Sequence, residues 1–106
     1  MGGKFGNAKA AIGAQVRLKW KSKALGDLAR LHSFLADVNP QAAARAVLTI
    51  TNAVKLLPDN PRLGLRLEEF SPEEVRRLIA GQYEIRYAIE GDTIFIVRLW
   101  STREER

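Results

Sequence analysis

Two runs near the C-terminal end, residues 83–89 and 94–100, carry strand-like spacing, and Glu90-Gly91-Asp92-Thr93 between them suits a tight reversal, so the pattern predicts a hairpin. In the first run Tyr83, Ile85, Tyr87 and Ile89 fall on one face and Glu84, Arg86 and Ala88 on the other, the period-2 signature of a sheet covered on one side. Gly91 supplies the positive φ that such a turn needs. The second run is apolar on both faces through Phe95, Val97 and Leu99, which places it inside the sheet and not at an edge. Near the start, Val16, Leu18 and Trp20 alternate with Arg17, Lys19 and Lys21, a strand with one buried and one basic face. Residues 75–80 read as a further strand, joined to the Tyr83 strand by Gly81-Gln82.

Between these strands the period lengthens to three and four. Ser22 is expected to cap a helix carrying Leu25, Leu28, Leu31, Leu35 and Val38. Asn39-Pro40 stops that helix and starts a second, with Asn as N-cap and Pro at the first helical position, and with Ala43, Val47, Ile50, Val54 and Leu57 as its apolar stripe. So short a joint makes the pair antiparallel, and the two stripes can close over one face of the sheet. Two prolines and a glycine make 58–64 a loop. Residues 65–70 suggest a short irregular strand and Ser71-Pro72-Glu73-Glu74 a turn. The order β-α-α-β-β-β, ending in a three-stranded meander, predicts an α+β fold with two helices packed on a small antiparallel-rich sheet.

Composition narrows the partners more than the fold. A chain of 106 residues, 46% hydrophobic, buries one core, so residues 15–106 are expected to form a single domain. Residues 1–14, with only Phe5 and Ile12 as large apolar anchors, are expected to be a loosely ordered extension. Without cysteine there is no disulfide framework or thiolate ligand, and one histidine leaves little from which to build a zinc site, so neither metal nor cofactor is expected. No membrane span or secretory signal is visible, which points to the cytoplasm. A net charge of +5 and a pI near 10.0 would attract nucleic acid or an acidic protein segment, and charge alone separates neither from a well-solvated surface.

Over residues 16–103 the chain resembles the RelE/ParE toxin superfamily of bacterial type II toxin–antitoxin modules, most closely its ParE branch. The resemblance rests on Ala24-Leu25-Gly26-Asp27-Leu28 after the first strand, and on Asn39-Pro40 before the alanine-rich Gln41-Ala42-Ala43-Ala44-Arg45. It continues through Pro61-Arg62-Leu63-Gly64 and the Tyr83-Glu84-Ile85-Arg86-Tyr87 strand to Gly91-Asp92 and a strand ending Arg98-Leu99-Trp100. It implies a toxin held inactive by a cognate antitoxin and two possible chemistries: ParE toxins act on DNA gyrase by binding, RelE toxins cut messenger RNA on the ribosome. RNA cleavage needs a base for the 2′-hydroxyl, a cation for the phosphate and a donor for the leaving oxygen. Where RelE-type nucleases place an arginine after the strand tyrosine, this chain has Glu84, whose carboxylate repels a phosphate. The late tyrosine of those nucleases would fall beyond Arg106, while Arg77 and Arg103 lie near positions that are basic in them. Gyrase inhibition therefore ranks ahead of RNA cleavage, which would use Arg77 and Arg103, and a non-toxic relative that only binds antitoxin is a third reading. Many ParE relatives have His-Gly-Arg directly after the tryptophan; here Ser101-Thr102-Arg103 keeps the charge without the histidine.

If both hairpin turns have two residues, Leu78, Ile85, Tyr87, Ile94 and Ile96 lie beneath the helices and Arg77, Arg86 and Val97 line the other face. Side-by-side arginines suggest an anion-binding surface for an acidic, apolar antitoxin tail; the alternative is that Arg77 turns to Glu84 or to solvent. Such a partner would bury Phe95, Val97 and Leu99. Arg77, Arg86, Phe95, Val97, Arg98, Trp100 and Arg103 are accordingly the candidate contact residues. Tyr87 is expected in the core, Trp100 either in the core or in a contact patch with Arg98 and Arg103. His32 and Lys19, Lys21 and Lys23 are expected in solvent.

Overall fold

A computed structural model describes residues 16–103. The extension expected over residues 1–14 lies outside the described residues. The elements are β1 (Arg17–Trp20), α1 (Ser22–Ala36), α2 (Pro40–Val54), β2 (Leu65–Arg66), a 3-10 turn (Glu68–Phe70), β3 (Glu74–Ala80), β4 (Tyr83–Glu90) and β5 (Thr93–Ser101). The helices cover one face of a five-stranded sheet of order β1-β5-β4-β3-β2, in which only the β1–β5 pair is parallel. That pair is parallel because the chain travels through both helices and the meander between its two strands. No described helix is long and apolar enough to cross a membrane.

Local signals account for most boundaries. Asn39 Oδ1 accepts from the backbone N–H of Gln41 (2.9 Å) and Ala42 (3.3 Å), with Pro40 in the first helical position, so the predicted cap is present. Ser22 is not a cap. Lys21 takes the N-cap position in extended conformation without a side-chain cap, its carbonyl accepting from Leu25 N–H and its own N–H still pairing with Ile96 O, so Ser22 becomes the first helical residue. Gly81 and Gly91 take φ of 61° and 60° at the two hairpin turns. The expected strand over 65–70 is cut to two residues, after which the chain tightens into the 3-10 turn.

The core joins Ala43, Ala46, Ile50, Val54 and Leu57 of the second helix and the turn after it to Ile85, Tyr87, Ile94, Ile96 and Leu99 of the sheet. Both helices differ from the predicted stripes in detail. Leu25 on α1 and Val38 beyond its end stand in solvent, and Ala24 and Asp27 are buried on the helix, beside half-buried Leu28, Leu31 and Leu35. On α2, Ala46 goes inside while Val47 is half-buried.

The β4–β5 pairing corrects the regular register expected from the turn. Ile89, Ala88 and Tyr87 face Ile94, Phe95 and Ile96 as alternation requires, but Arg86 then faces Arg98, not Val97. Val97 is an extra residue, a β-bulge, and it exchanges the faces of everything after it. Leu99, expected bare until a partner covered it, is therefore fully buried in the core.

Candidate interaction surface

On the sheet face away from the helices, Arg77, Arg86 and Arg98 stand in register across β3, β4 and β5, and Ile79, Glu84 and Trp100 form the next row. The predicted arginine neighbours are thus real, and so is the alternative acidic contact. Glu84, buried at 8% exposure, lies 3.3 Å from Arg86 Nη2 and 3.9 Å from Arg77 Nη1. The Arg86 guanidinium carbon also sits 4.8 Å from the Trp100 ring centroid and 5.6 Å from that of Phe70, a cation between two aromatic faces. Arg86 is held by this setting, whereas Arg77, 44% exposed, points toward water.

The bulge brings Arg98 opposite Arg86, but Asp27 draws its guanidinium out of that row. Its Nε lies 2.8 Å from Asp27 Oδ2 and its Nη2 3.1 Å from Asp27 Oδ1, a bidentate pair, and Leu99 N–H donates to Oδ2 at 3.0 Å. Arg30 adds a 3.5 Å contact from the next turn of α1. Burial pushes the Asp27 carboxyl up, but Arg98, the Leu99 N–H and Arg30 together outweigh it and hold it below the ordinary carboxylate value. Sequence reasoning missed Asp27, although the signal was present: a charged residue three after Ala24 and four before Leu31, inside an apolar stripe.

A cleft of about 440 Å³ opens where the second half of α1 passes the ends of β4 and β5. Leu31, Phe34, Leu35, Tyr83 and Trp100 supply its apolar walls, and Arg30 and Arg103 its basic rim. Phe34 is 68% exposed and was not singled out in the sequence, because it falls off the core stripe. Thr102 fastens the end of β5 by donating both its N–H (2.8 Å) and its hydroxyl (3.1 Å) to Gln82 O.

The other candidates separate. Phe95 is half-buried under Lys21 Nζ, 4.5 Å from its ring centroid, so Lys21 does more than solvate an edge. Val97 is half-buried at the bulge, and Trp100, at 7% exposure, is buried and forms a wall, not an outward patch. Arg103 belongs to the cleft and Arg77 to the open face, so the two nuclease candidates occupy different surroundings. His32 is exposed, and no cluster of metal-ligating side chains occurs among the described residues.

The Pro-Arg-Leu-Gly loop serves the fold. The Tyr87 hydroxyl donates to Pro61 O and accepts from Gly64 N–H, both at 2.8 Å, and burial pushes that hydroxyl above its ordinary value. Arg76 donates to Gly64 O (2.7 Å) and to Glu74 (2.8 Å), which Arg62 meets at 2.9 Å; the bond from Arg76, then Arg62, holds the Glu74 carboxyl low.

Two helices on this sheet, with a charged open face and a cleft beside α1, define a known architecture. A chain of the chromosomal ParDE TA system from P. aeruginosa is similar, with a TM-score of 0.68 and 27% identity over 82% of this chain and 96% of that one. The archaeal RelE–RelB complex from Pyrococcus horikoshii OT3 contains a chain with the same fold, with a TM-score of 0.54 and 19% identity over 87% of this chain and 100% of that one. Toxin RelE2 of Caulobacter vibrioides is 30% identical over 80 residues, 76% of this chain and 88% of that protein. The family model described as "ParE toxin of type II toxin-antitoxin system, parDE" matches residues 18–106, and the chain belongs to that toxin family.

Proposed function

We propose that this toxin acts by binding DNA gyrase and not by cleaving RNA, and that a cognate antitoxin neutralises it. The observation that carries the reading is Glu84. Its carboxylate occupies the centre of the open-face arginines, where an RNA phosphate would have to approach, and it engages both Arg77 and Arg86. A face whose positive charge is partly offset from within suits protein contact better than phosphoryl chemistry. The family description, with its ParE name, and the ParDE system among the structural relatives support the same side. For the antitoxin, the cleft beside Phe34 offers apolar walls and the basic rim of Arg30 and Arg103, which suit an amphipathic acidic segment.

Purified gyrase tests the target. Supercoiling of relaxed plasmid should fall as the protein is added and recover when the antitoxin is supplied, while messages translated in its presence stay intact. Cuts within the codons of translated messages, with supercoiling unchanged, would reverse the assignment. A second reading as a ribosome-dependent nuclease draws on the relative named RelE2 and on the exposure of Arg77, and the same pair of assays decides between them. Unimpaired growth on expression without antitoxin would instead favour a non-toxic, antitoxin-binding relative.

A further inference from the structure

The pairing of β5 changes character at Ile96. Up to that residue the strand lies between β1 and β4: Arg17 N–H donates to Asp92 O and Lys21 N–H to Ile96 O, so the even-numbered residues 92 and 96 turn their carbonyls toward β1. Beyond Ile96 there is no β1, because the chain has turned into α1. Strict alternation would make Arg98 the next residue with its backbone facing that unpaired edge, and would put its side chain beneath the helices with Ile94 and Ile96. Leu99 would then face β4 through its N–H and solvent through its side chain. The structure has the opposite arrangement. Val97 is inserted, Leu99 is in the core, and Leu99 N–H points outward to Asp27 Oδ2.

We infer that Asp27 is the positioning residue that selects this register. Its carboxylate accepts a backbone N–H that faces the outer edge only when Val97 is bulged, and its second role, pairing Arg98, keeps that guanidinium at the edge and out of the core. The acceptor sits on α1 and is buried at 4% exposure, so it waits at a fixed place beside the strand. Because a one-residue slip flips every following side chain, this one carboxylate determines the surfaces at the end of the sheet. With the bulge, Trp100 stacks on Arg86 and Arg98 stays out of the core, paired with Asp27; without it, Trp100 would turn beneath the helices, beside Leu31 and Leu35, and Leu99 would stand opposite Glu84.

Arg98 itself opposes the regular register, since a charge beneath the helices is unfavourable, so the test must remove that objection first. In Arg98→Leu, and in Asp27→Asn with Arg98→Leu, an oxygen at position 27 still accepts the Leu99 N–H. Both variants should keep residue 86 opposite 98 in cross-strand nuclear Overhauser contacts and keep the ring-current shift of the Arg86 side chain by Trp100. Asp27→Leu with Arg98→Leu replaces the pair by apolar groups and removes the acceptor; residue 86 should then face 97, and the ring-current shift should disappear. Should that variant fail to fold, Asp27→Ala with Arg98→Leu carries the same expectation. Residue 86 still opposite 98 in a variant that lacks the acceptor would overturn the inference, as would a slip in Asp27→Asn with Arg98→Leu. The readout involves no partner, so its result is independent of the gyrase assignment.

Discussion

Tyr87 and Asp27 are two polar groups set into the same apolar layer, and each fastens backbone that the sheet ladder does not reach. Tyr87 works toward the β2 flank, holding residues 61–64 through one donated and one accepted hydrogen bond. Asp27 works toward the β1 flank, holding the outgoing half of β5 through the Leu99 N–H and the Arg98 guanidinium. The difference is charge. A neutral hydroxyl with both bonds made loses little when buried, whereas a buried carboxylate is stable only while its cations and donors remain in place. The loop side is therefore a passive latch, and the α1 side is sensitive to any change in its partners.

Removing each fastener should expose that asymmetry. Asp27→Leu leaves Leu99 N–H without an acceptor and Arg98 unpaired; Arg98 can turn partly to water, so a loss of about 3 kcal/mol is expected from the denaturation midpoint. On the other flank, Gly64→Ala would place a Cβ 2.5 Å from Arg77 O and 2.9 Å from Tyr87 Cε1. Backbone cannot yield as a flexible side-chain tip would, and an overpacking loss of about 2 kcal/mol should appear in the same measurement. Tyr87→Phe keeps the ring in the core and leaves Gly64 N–H and Pro61 O to find water, with an expected loss of about 1 kcal/mol. A Tyr87→Phe loss equal to that of Asp27→Leu would break the comparison.

The smallest effects are those of pH, and they differ in sign. The folded Asp27 carboxyl titrates below its ordinary value of 3.8, so the unfolded chain binds the proton first. Its contribution is complete above that value and is lost as pH falls through the folded pKa. Tyr87 titrates above its ordinary 10.0 in the folded protein, so its contribution is complete below pH 10.0 and declines as pH rises past it. Stability measured against pH should therefore lose part of its acid limb in Asp27→Asn, with Glu74 supplying the remainder, and part of its alkaline limb in Tyr87→Phe.

Where the information was local, it was legible. The Asn39-Pro40 start of α2, the turns at Gly81 and Gly91, and the β3–β4 register with Arg77 beside Arg86 all follow from residues that specify their own backbone or from strict alternation. The site was half-legible for the same reason. Arg77, Arg86 and Glu84 were visible as neighbours on one face, but the aromatic stack on Arg86 joins Phe70 and Trp100, thirty positions apart. Phe34 and Arg103 meet at the cleft only because α1 passes the end of β5.

By itself the amino-acid order determined the helices, the strands, the face of the sheet that the helices cover and the toxin family, since apolar period and turn chemistry are properties of short stretches. Only the tertiary structure decided the last five residues of β5. Alternation offers a strand two faces without ranking them, and the choice fell to a carboxylate about seventy positions away that is brought beside Leu99 by the packing of α1. A contact over that separation leaves no periodic trace; its only mark in the chain is one aspartate where the helix stripe called for an apolar residue.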